Sequence, residues 1–264
     1  MSDILKIAIC EHDVVRGDAV ATTEQIERVV ASYLSDNECD IMILTEFFSL
    51  GFHISKDMFE DDEGVSLNWL KMMAKRYGVA FVASVPIAIT GTDSAYNRAF
   101  FVYPDGTYDH YDKRHIFAPG GERSYITPGN SRKVVKYKGW RILLQICYDL
   151  RFPVWSRSVD NEYDLVINVA NWPQQRISVV DPMVKTRAIE NQAYYAFSNR
   201  IGCDDICQYS GNSLIVNYVG QSIGKSLIVD GINFLSAEIS LSSLKEYNIK
   251  FPVKGDSDIF TINI

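Results

Sequence analysis

The sequence predicts an α+β fold in which helices cover the outer faces of sheets. Two observations lead there. The first half alternates strand-like apolar runs with helical spacing, and the later strands come as hairpins. A third observation sets the organisation: no linker-like, low-complexity or repeated stretch divides the chain, so residues 1–264 read as a single domain.

Ile4 to Cys10 is β-branched and apolar, a buried strand. Ile26, Val29, Val30, Tyr33 and Leu34 recur at helical spacing and mark an amphipathic helix. Ile41 to Leu44 is a short strand that stops at Thr45-Glu46. Leu67, Leu70, Met73 and Ala74 mark a second helix, ended near Gly78. Val79 to Ile89 and Arg98 to Tyr103 are strands, the latter closed by a Pro104-Asp105-Gly106 turn. Residues 112–131 read as loop, with Pro119-Gly120-Gly121 and Pro128-Gly129. Val134 to Tyr137 and Arg141 to Cys147 form a hairpin across Lys138-Gly139, and Leu165 to Val169 is another buried strand. Asp181-Pro182 reads as the N-cap and first residue of a helix through Asn191. Ala193 to Ser198, Ser213 to Tyr218 and Lys225 to Val229 complete the strands.

Composition removes several function classes. Apolar residues are 47% and charged residues 22%, a globular balance, and the net charge of −7 speaks against a nucleic-acid surface. The start, Met1 to Lys6, lacks a charged leader followed by an apolar stretch, and no apolar run reaches membrane-spanning length. Five scattered cysteines do not form a disulfide framework, so a cytoplasmic protein is expected. Neither a Gly-x-Gly-x-x-Gly nor a P-loop pattern occurs, which leaves no nucleotide cofactor indicated. No His-Glu-x-x-His is present, and Cys203-x-x-x-Cys207 has no second pair, so no metal is expected and those cysteines read as loop or packing residues.

Cys147 lies where an apolar strand meets a polar turn, a position that fixes a nucleophile beside free backbone N–H groups. An inert buried cysteine is the alternative. Glu46 ends its own strand between Thr45 and Phe47-Phe48; an apolar setting raises a carboxylate's pKa and suits proton transfer, and a solvated strand-end glutamate is the alternative. Lys113 near a thiol lowers the thiol's pKa and stabilises an oxyanion, or else it is a surface charge. Glu122 follows Gly120-Gly121 and carries little weight alone. Only four histidines occur, of which His115 is best placed for a Cys–His hydrolase, and no Gly-x-Ser-x-Gly elbow is present.

Three segments in register, ILTEFFSLGF with Glu46, YDKRHIFAPGGE with Lys113 and GWRILLQICYDLRFPVWSR with Cys147, resemble the nitrilase superfamily of carbon–nitrogen hydrolases. VANWP and TRAIENQAYYAFSNRIG extend the likeness over residues 4–235, and CYDLRFP with RAIENQ resembles its omega-amidase branch. The resemblance implies a four-layer α-β-β-α sandwich, a homodimer, and hydrolysis of the side-chain amide of 2-oxoglutaramate or 2-oxosuccinamate without a cofactor. It implies Cys147 as nucleophile, Glu46 as general base and then acid, Lys113 and the Tyr148 N–H as oxyanion donors, and Glu122 as a second glutamate that positions substrate or assists proton transfer. Two positions depart from the pattern. Thr45 stands where proline is frequent, and Ser178 to Pro182 lacks a tryptophan expected near Val180, a change expected to reshape the pocket.

Such a substrate carries a carboxylate at its far end, and Arg176, five residues after Asn171, is the candidate clamp. Asn171, Phe47, Phe52, Phe117 and Trp172 are candidate pocket residues, whereas Arg151 and Arg187 read as structural ion-pair residues. The rival readings are an N-carbamoyl-amine or aliphatic amidase with the same triad, an acyltransferase, and a catalytically silent oligomeric binding module.

Overall fold

The computed structural model describes residues 3–52, 55–159, 161–258 and 260–262, so Met1, Ser2 and His53 of the sequence reading lie outside the described residues. The elements run β1 (Ile4–Glu11), α1 (Ala19–Asp36), β2 (Ile41–Ile43), α2 (Val65–Tyr77), β3 (Ala80–Ala88), β4 (Ala95–Val102) and β5 (Tyr108–Asp112). They continue with β6 (Val134–Tyr137), β7 (Trp140–Ile146), α3 (Pro153–Ser156), β8 (Leu165–Ala170), α4 (Val180–Asn191) and β9 (Tyr194–Asn199). A hairpin of β10 (Ile201–Cys203) and β11 (Gln208–Ser210) follows, then β12 (Leu214–Val216), β13 (Lys225–Val229), β14 (Ile232–Ser240) and α5 (Leu241–Lys250).

Two mixed sheets share one plan. The seven-stranded sheet has the order β13-β14-β1-β2-β3-β4-β5, and the five-stranded sheet β12-β9-β8-β7-β6. Each is centred on three parallel strands, β1-β2-β3 and β7-β8-β9, flanked by antiparallel neighbours. Alternation along β1 assigns the faces. Leu5, Ile7 and Ile9 join Ile43 and Phe101 in a core shared with Leu144, Val166 and Phe197 of the other sheet and Val184 of α4. Ala8 and Cys10 face the other way, onto Ile26, Val30 and Tyr33 of α1 and Leu67, Leu70 and Met73 of α2. This is a helix-sheet-sheet-helix stacking. Each such aliphatic or aromatic side chain contributes roughly 1.5–3 kcal/mol on burial.

Local signals set the helix ends. Asp18 caps α1 by accepting the Ala21 N–H at 2.9 Å, and Gly78 ends α2 in the left-handed region at φ +66°. The helix expected to begin at Pro182 starts two residues earlier, at Val180, so Asp181 lies in its first turn rather than at its cap and pairs with Lys185 at 2.9 Å. The strand expected from Arg98 begins at Ala95. Within 112–131 the chain makes short 3₁₀ turns at Ala118–Gly120 and Glu122–Ser124. No helix among the described residues is long and apolar enough to cross a membrane.

Candidate active site

Glu46, Cys147 and Asn171 each lie just past the carboxyl end of a parallel strand, namely β2, β7 and β8. Main-chain groups released by a ladder at that end are available to a ligand, which is why sites form there in parallel sheets. Lys113 follows β5 directly, and its N–H donates to Asn97 O of β4 at 2.9 Å. The two sheets therefore bring four loop ends together.

Cys147 adopts φ +43°, the left-handed region, at a cost of about 1–2 kcal/mol for a non-glycine residue. Asp149, wholly buried, offsets that cost. Its Oδ2 accepts the Ile146 N–H at 3.0 Å and the Tyr111 hydroxyl at 2.7 Å, and its Oδ1 accepts the His115 N–H at 3.1 Å and meets His115 Nδ1 at 2.7 Å. One carboxylate thus ties the turn after the thiol to the loop that carries Lys113. Tyr148 lies in the first turn of the 3₁₀ segment Cys147–Arg151, where main-chain N–H groups lack intrahelical acceptors.

The charged centre is fully enclosed. Lys113 Nζ donates to Glu46 Oε1 at 2.7 Å, and to Glu122 Oε1 and Oε2 at 3.0 and 2.8 Å. Asn97 Nδ2 donates to Glu46 Oε1 at 2.9 Å and Glu122 Oε1 at 3.0 Å. The Asn171 N–H reaches Glu46 Oε2 at 3.0 Å, and the Phe117 N–H reaches Glu122 Oε2 at 2.7 Å. Burial raises the Glu46 pKa; Lys113 opposes this and Glu122 reinforces it. Burial pulls the Lys113 ammonium down, but Glu122, Glu46 and Cys147 outweigh it and hold the pKa above the ordinary lysine value. Burial pushes the Cys147 thiol well up, helped by the Glu46 charge and countered by Lys113 and the Asn171 N–H. The resting thiol is protonated, next to a carboxylate of raised basicity.

A cavity of about 240 Å³ opens onto Cys147 and Tyr148. Phe52, Phe117, Asn171 and Trp172 line it, as do Arg151 and Arg176. The Arg151 guanidinium lies 4.9 Å from the Trp172 ring centre and that of Arg176 lies 5.1 Å from Phe117. Neither has a carboxylate partner among the described residues. Ile206, Cys207 and Tyr209 of the β10–β11 hairpin form another wall.

The model of the family described as carbon-nitrogen hydrolase matches residues 6–249. The chain belongs to the carbon–nitrogen hydrolase family. It is 39% identical over 259 residues to "Omega-amidase YafV" of Yersinia enterocolitica, covering 98% of each chain. It is 30% identical over 221 residues to "2-oxoglutaramate amidase" of Bacillus subtilis, covering 82% of this chain and 84% of that one. The crystal structure of XC1258 from Xanthomonas campestris, a CN-hydrolase superfamily protein with an arsenic adduct in its active site, superposes with a TM-score of 0.90 at 31% identity, covering 99% of this chain and 100% of that one. The fold of this carbon–nitrogen hydrolase is accordingly the nitrilase-type α+β sandwich, and it acts on carbon–nitrogen bonds of linear amides.

The structure gathers Glu46, Lys113, Glu122 and Cys147, which lie far apart in sequence, and places Tyr148, Phe52, Phe117, Asn171, Trp172 and Arg176 at the cavity. It corrects three readings. Phe47 does not line the cavity; at φ +43° it turns into a small apolar cluster with Ala95 and Ile126. Arg151 faces the cavity rather than a carboxylate, whereas Arg187 does pair, with Glu190 at 3.1 Å. Val180 is buried in the core, and nothing from Ser178 to Pro182 reaches the cavity. Cys207 lies in the loop between β10 and β11, as the loop reading has it, and also lines the cavity. His115, the rival base, is spent on Asp149 and stacks on Phe152 at 3.6 Å. Asn97 and Asp149 were missed: neither residue type carries chemistry until its partners are known.

Proposed function

We propose that this carbon–nitrogen hydrolase is an omega-amidase that converts 2-oxoglutaramate or 2-oxosuccinamate to the 2-oxo diacid and ammonia. The observation that carries the reading is a thiol facing one small cavity together with two guanidinium groups that have no carboxylate partner among the described residues. An amide at one end of the substrate meets Cys147, and the 2-oxo acid end meets Arg151 and Arg176, whose planar forks suit carboxylates. Full-length likeness to proteins named for these activities supports it.

In this mechanism Cys147 Sγ attacks the amide carbon as Glu46 takes the thiol proton. The oxyanion lies between the Lys113 ammonium and the Tyr148 N–H, and each such donor contributes about 3 kcal/mol to the transition state. Glu46 returns its proton to the leaving nitrogen, so ammonia departs and a Cys147 thioester remains. Water, deprotonated by Glu46, attacks the thioester; the acid leaves and the thiol is restored. Glu122 holds Lys113 in place.

We further propose that the chain acts as a single domain and a homodimer in the cytoplasm. Exposed Val154, Ile189 and Phe251 offer apolar surface for association, and free cysteines at all five positions suit a reducing compartment. Sedimentation velocity reads the oligomer directly. Ammonia release from an amide panel tests the activity: 2-oxoglutaramate is turned over well above a carbamoylated amine, and Cys147→Ala is folded and inert. Carbon dioxide released with ammonia from the carbamoyl compound at the higher rate refutes the substrate, and turnover by Cys147→Ala refutes the nucleophile.

A further inference from the structure

Asn97 sits within β4, wholly buried, and its single amide nitrogen serves both carboxylates of the centre, at 2.9 Å to Glu46 Oε1 and 3.0 Å to Glu122 Oε1. Its Oδ1 meets no hydrogen-bond donor among the described residues. The reversed amide would press that oxygen against two carboxylates, so chemistry fixes the orientation seen. Lys113 has three N–H bonds, and all three go to the same two carboxylates. One must be withdrawn when the ammonium turns toward an oxyanion. The bond to Glu122 Oε1 is the longest, at 3.0 Å, and Oε1 is the oxygen that Asn97 also serves.

We propose that Asn97 is a positioning residue for the hydrolysis: it ties Glu46 to Glu122 and keeps Glu122 Oε1 hydrogen-bonded when Lys113 turns one N–H to the oxyanion. The inference rests on the roles given above to Glu46, Lys113 and Cys147. Asn97 does not line the cavity and acts only through these neighbours. Because its N–H groups favour ionised carboxylates, removing them disfavours the base form of Glu46.

The test is the pH profile of kcat/KM for ammonia release from 2-oxoglutaramate by the wild type, Asn97→Leu and Asn97→Ser. With leucine, the acid limb moves up by roughly one to two pH units, the value of a hydrogen bond to a charged group. Serine keeps one donor and gives a smaller upward shift. In both, kcat on the plateau falls while KM stays within about twofold, because the lost contact acts in the transition state. A packing role lowers stability or kcat but leaves the acid limb where it was, and that result overturns the proposal. If Asn97→Leu lacks a cooperative melt, Asn97→Ser is read alone by the same criterion. Turnover by Cys147→Ala overturns the underlying triad. An inert Cys147→Ala with an unmoved limb in the Asn97 variants overturns the role of Asn97 alone.

Discussion

Replacing Asp149 by Asn tests the link between the nucleophile turn and the lysine loop. The substitution is isosteric, so it opens no cavity, and it exchanges one acceptor oxygen for an NH2 group. Placed toward Tyr111 and Ile146, that NH2 opposes two donors now held at 2.7 and 3.0 Å. The tyrosine cannot reverse its role without loss, because its oxygen already accepts from the Arg114 N–H at 3.0 Å and Trp155 Nε1 at 2.9 Å. Placed toward His115, the NH2 opposes a main-chain N–H at 3.1 Å. Either way at least one buried donor is stranded, at about 1–3 kcal/mol each, and a charge-assisted bond is lost as well. A total of about 3 kcal/mol follows, which for a chain of this size lowers Tm by about 6–12 °C. The strained Cys147 turn loses its brace at the same time, so kcat falls beyond what unfolding explains. Calorimetry with urea titration and steady-state kinetics on the folded variant read both effects. A variant that melts within a degree of the wild type and keeps full kcat refutes the bracing role.

Two further outcomes are expected. Arg151→Gln and Arg176→Gln each raise KM for 2-oxoglutaramate roughly tenfold or more, the value of a charge-assisted hydrogen bond, while an aliphatic amide without a carboxylate is little affected; unchanged KM in both variants removes the clamp. His12 is buried between carbonyl oxygens, and burial lowers its pKa to about 4 from the ordinary 6.5. The unfolded chain therefore takes up the proton first, so the stability of the neutral form is whole above pH 6.5 and is lost as pH falls toward 4. About 3 kcal/mol is lost over that window. Urea midpoints across it should flatten in His12→Gln, and an equally steep fall there shows that another group is responsible.

The strands that end at Glu46 and Cys147 were legible because apolar runs stop abruptly at polar turns, and the parallel centre of each sheet is nearly continuous hydrophobic sequence. β14 was not, because Asn233, Ser236 and Glu238 interrupt its apolar alternation although it pairs beside β1 along its whole length. α5 hid for a related reason: only Leu241 and Leu244 of its ten residues are buried. The pocket was half legible. Phe47 and Phe52 look alike in sequence and pack in one cluster, yet only Phe52 reaches the cavity, a difference with no periodic signature. Asn97 is one asparagine in a strand until Glu46 and Glu122, 51 and 25 residues away, meet its amide.

The charge count of the centre accounts for its division of labour. Two buried carboxylates share one ammonium. Burial disfavours a resting thiolate beside them, and the neighbouring Glu46 adds to that effect, so the thiol pKa rises. The direction of that shift speaks against a permanent Cys–Lys ion pair. In the proposed mechanism proton transfer to Glu46 accompanies attack and moves the negative charge onto an oxygen that Lys113 and a main-chain N–H face. In the proposed reaction Arg151 and Arg176, which line the cavity, attract the substrate carboxylate. On that proposal the two guanidinium groups and the thiol lining one cavity orient a molecule with a carboxylate at one end and a neutral amide at the other. The amide is the end that fits against the thiol.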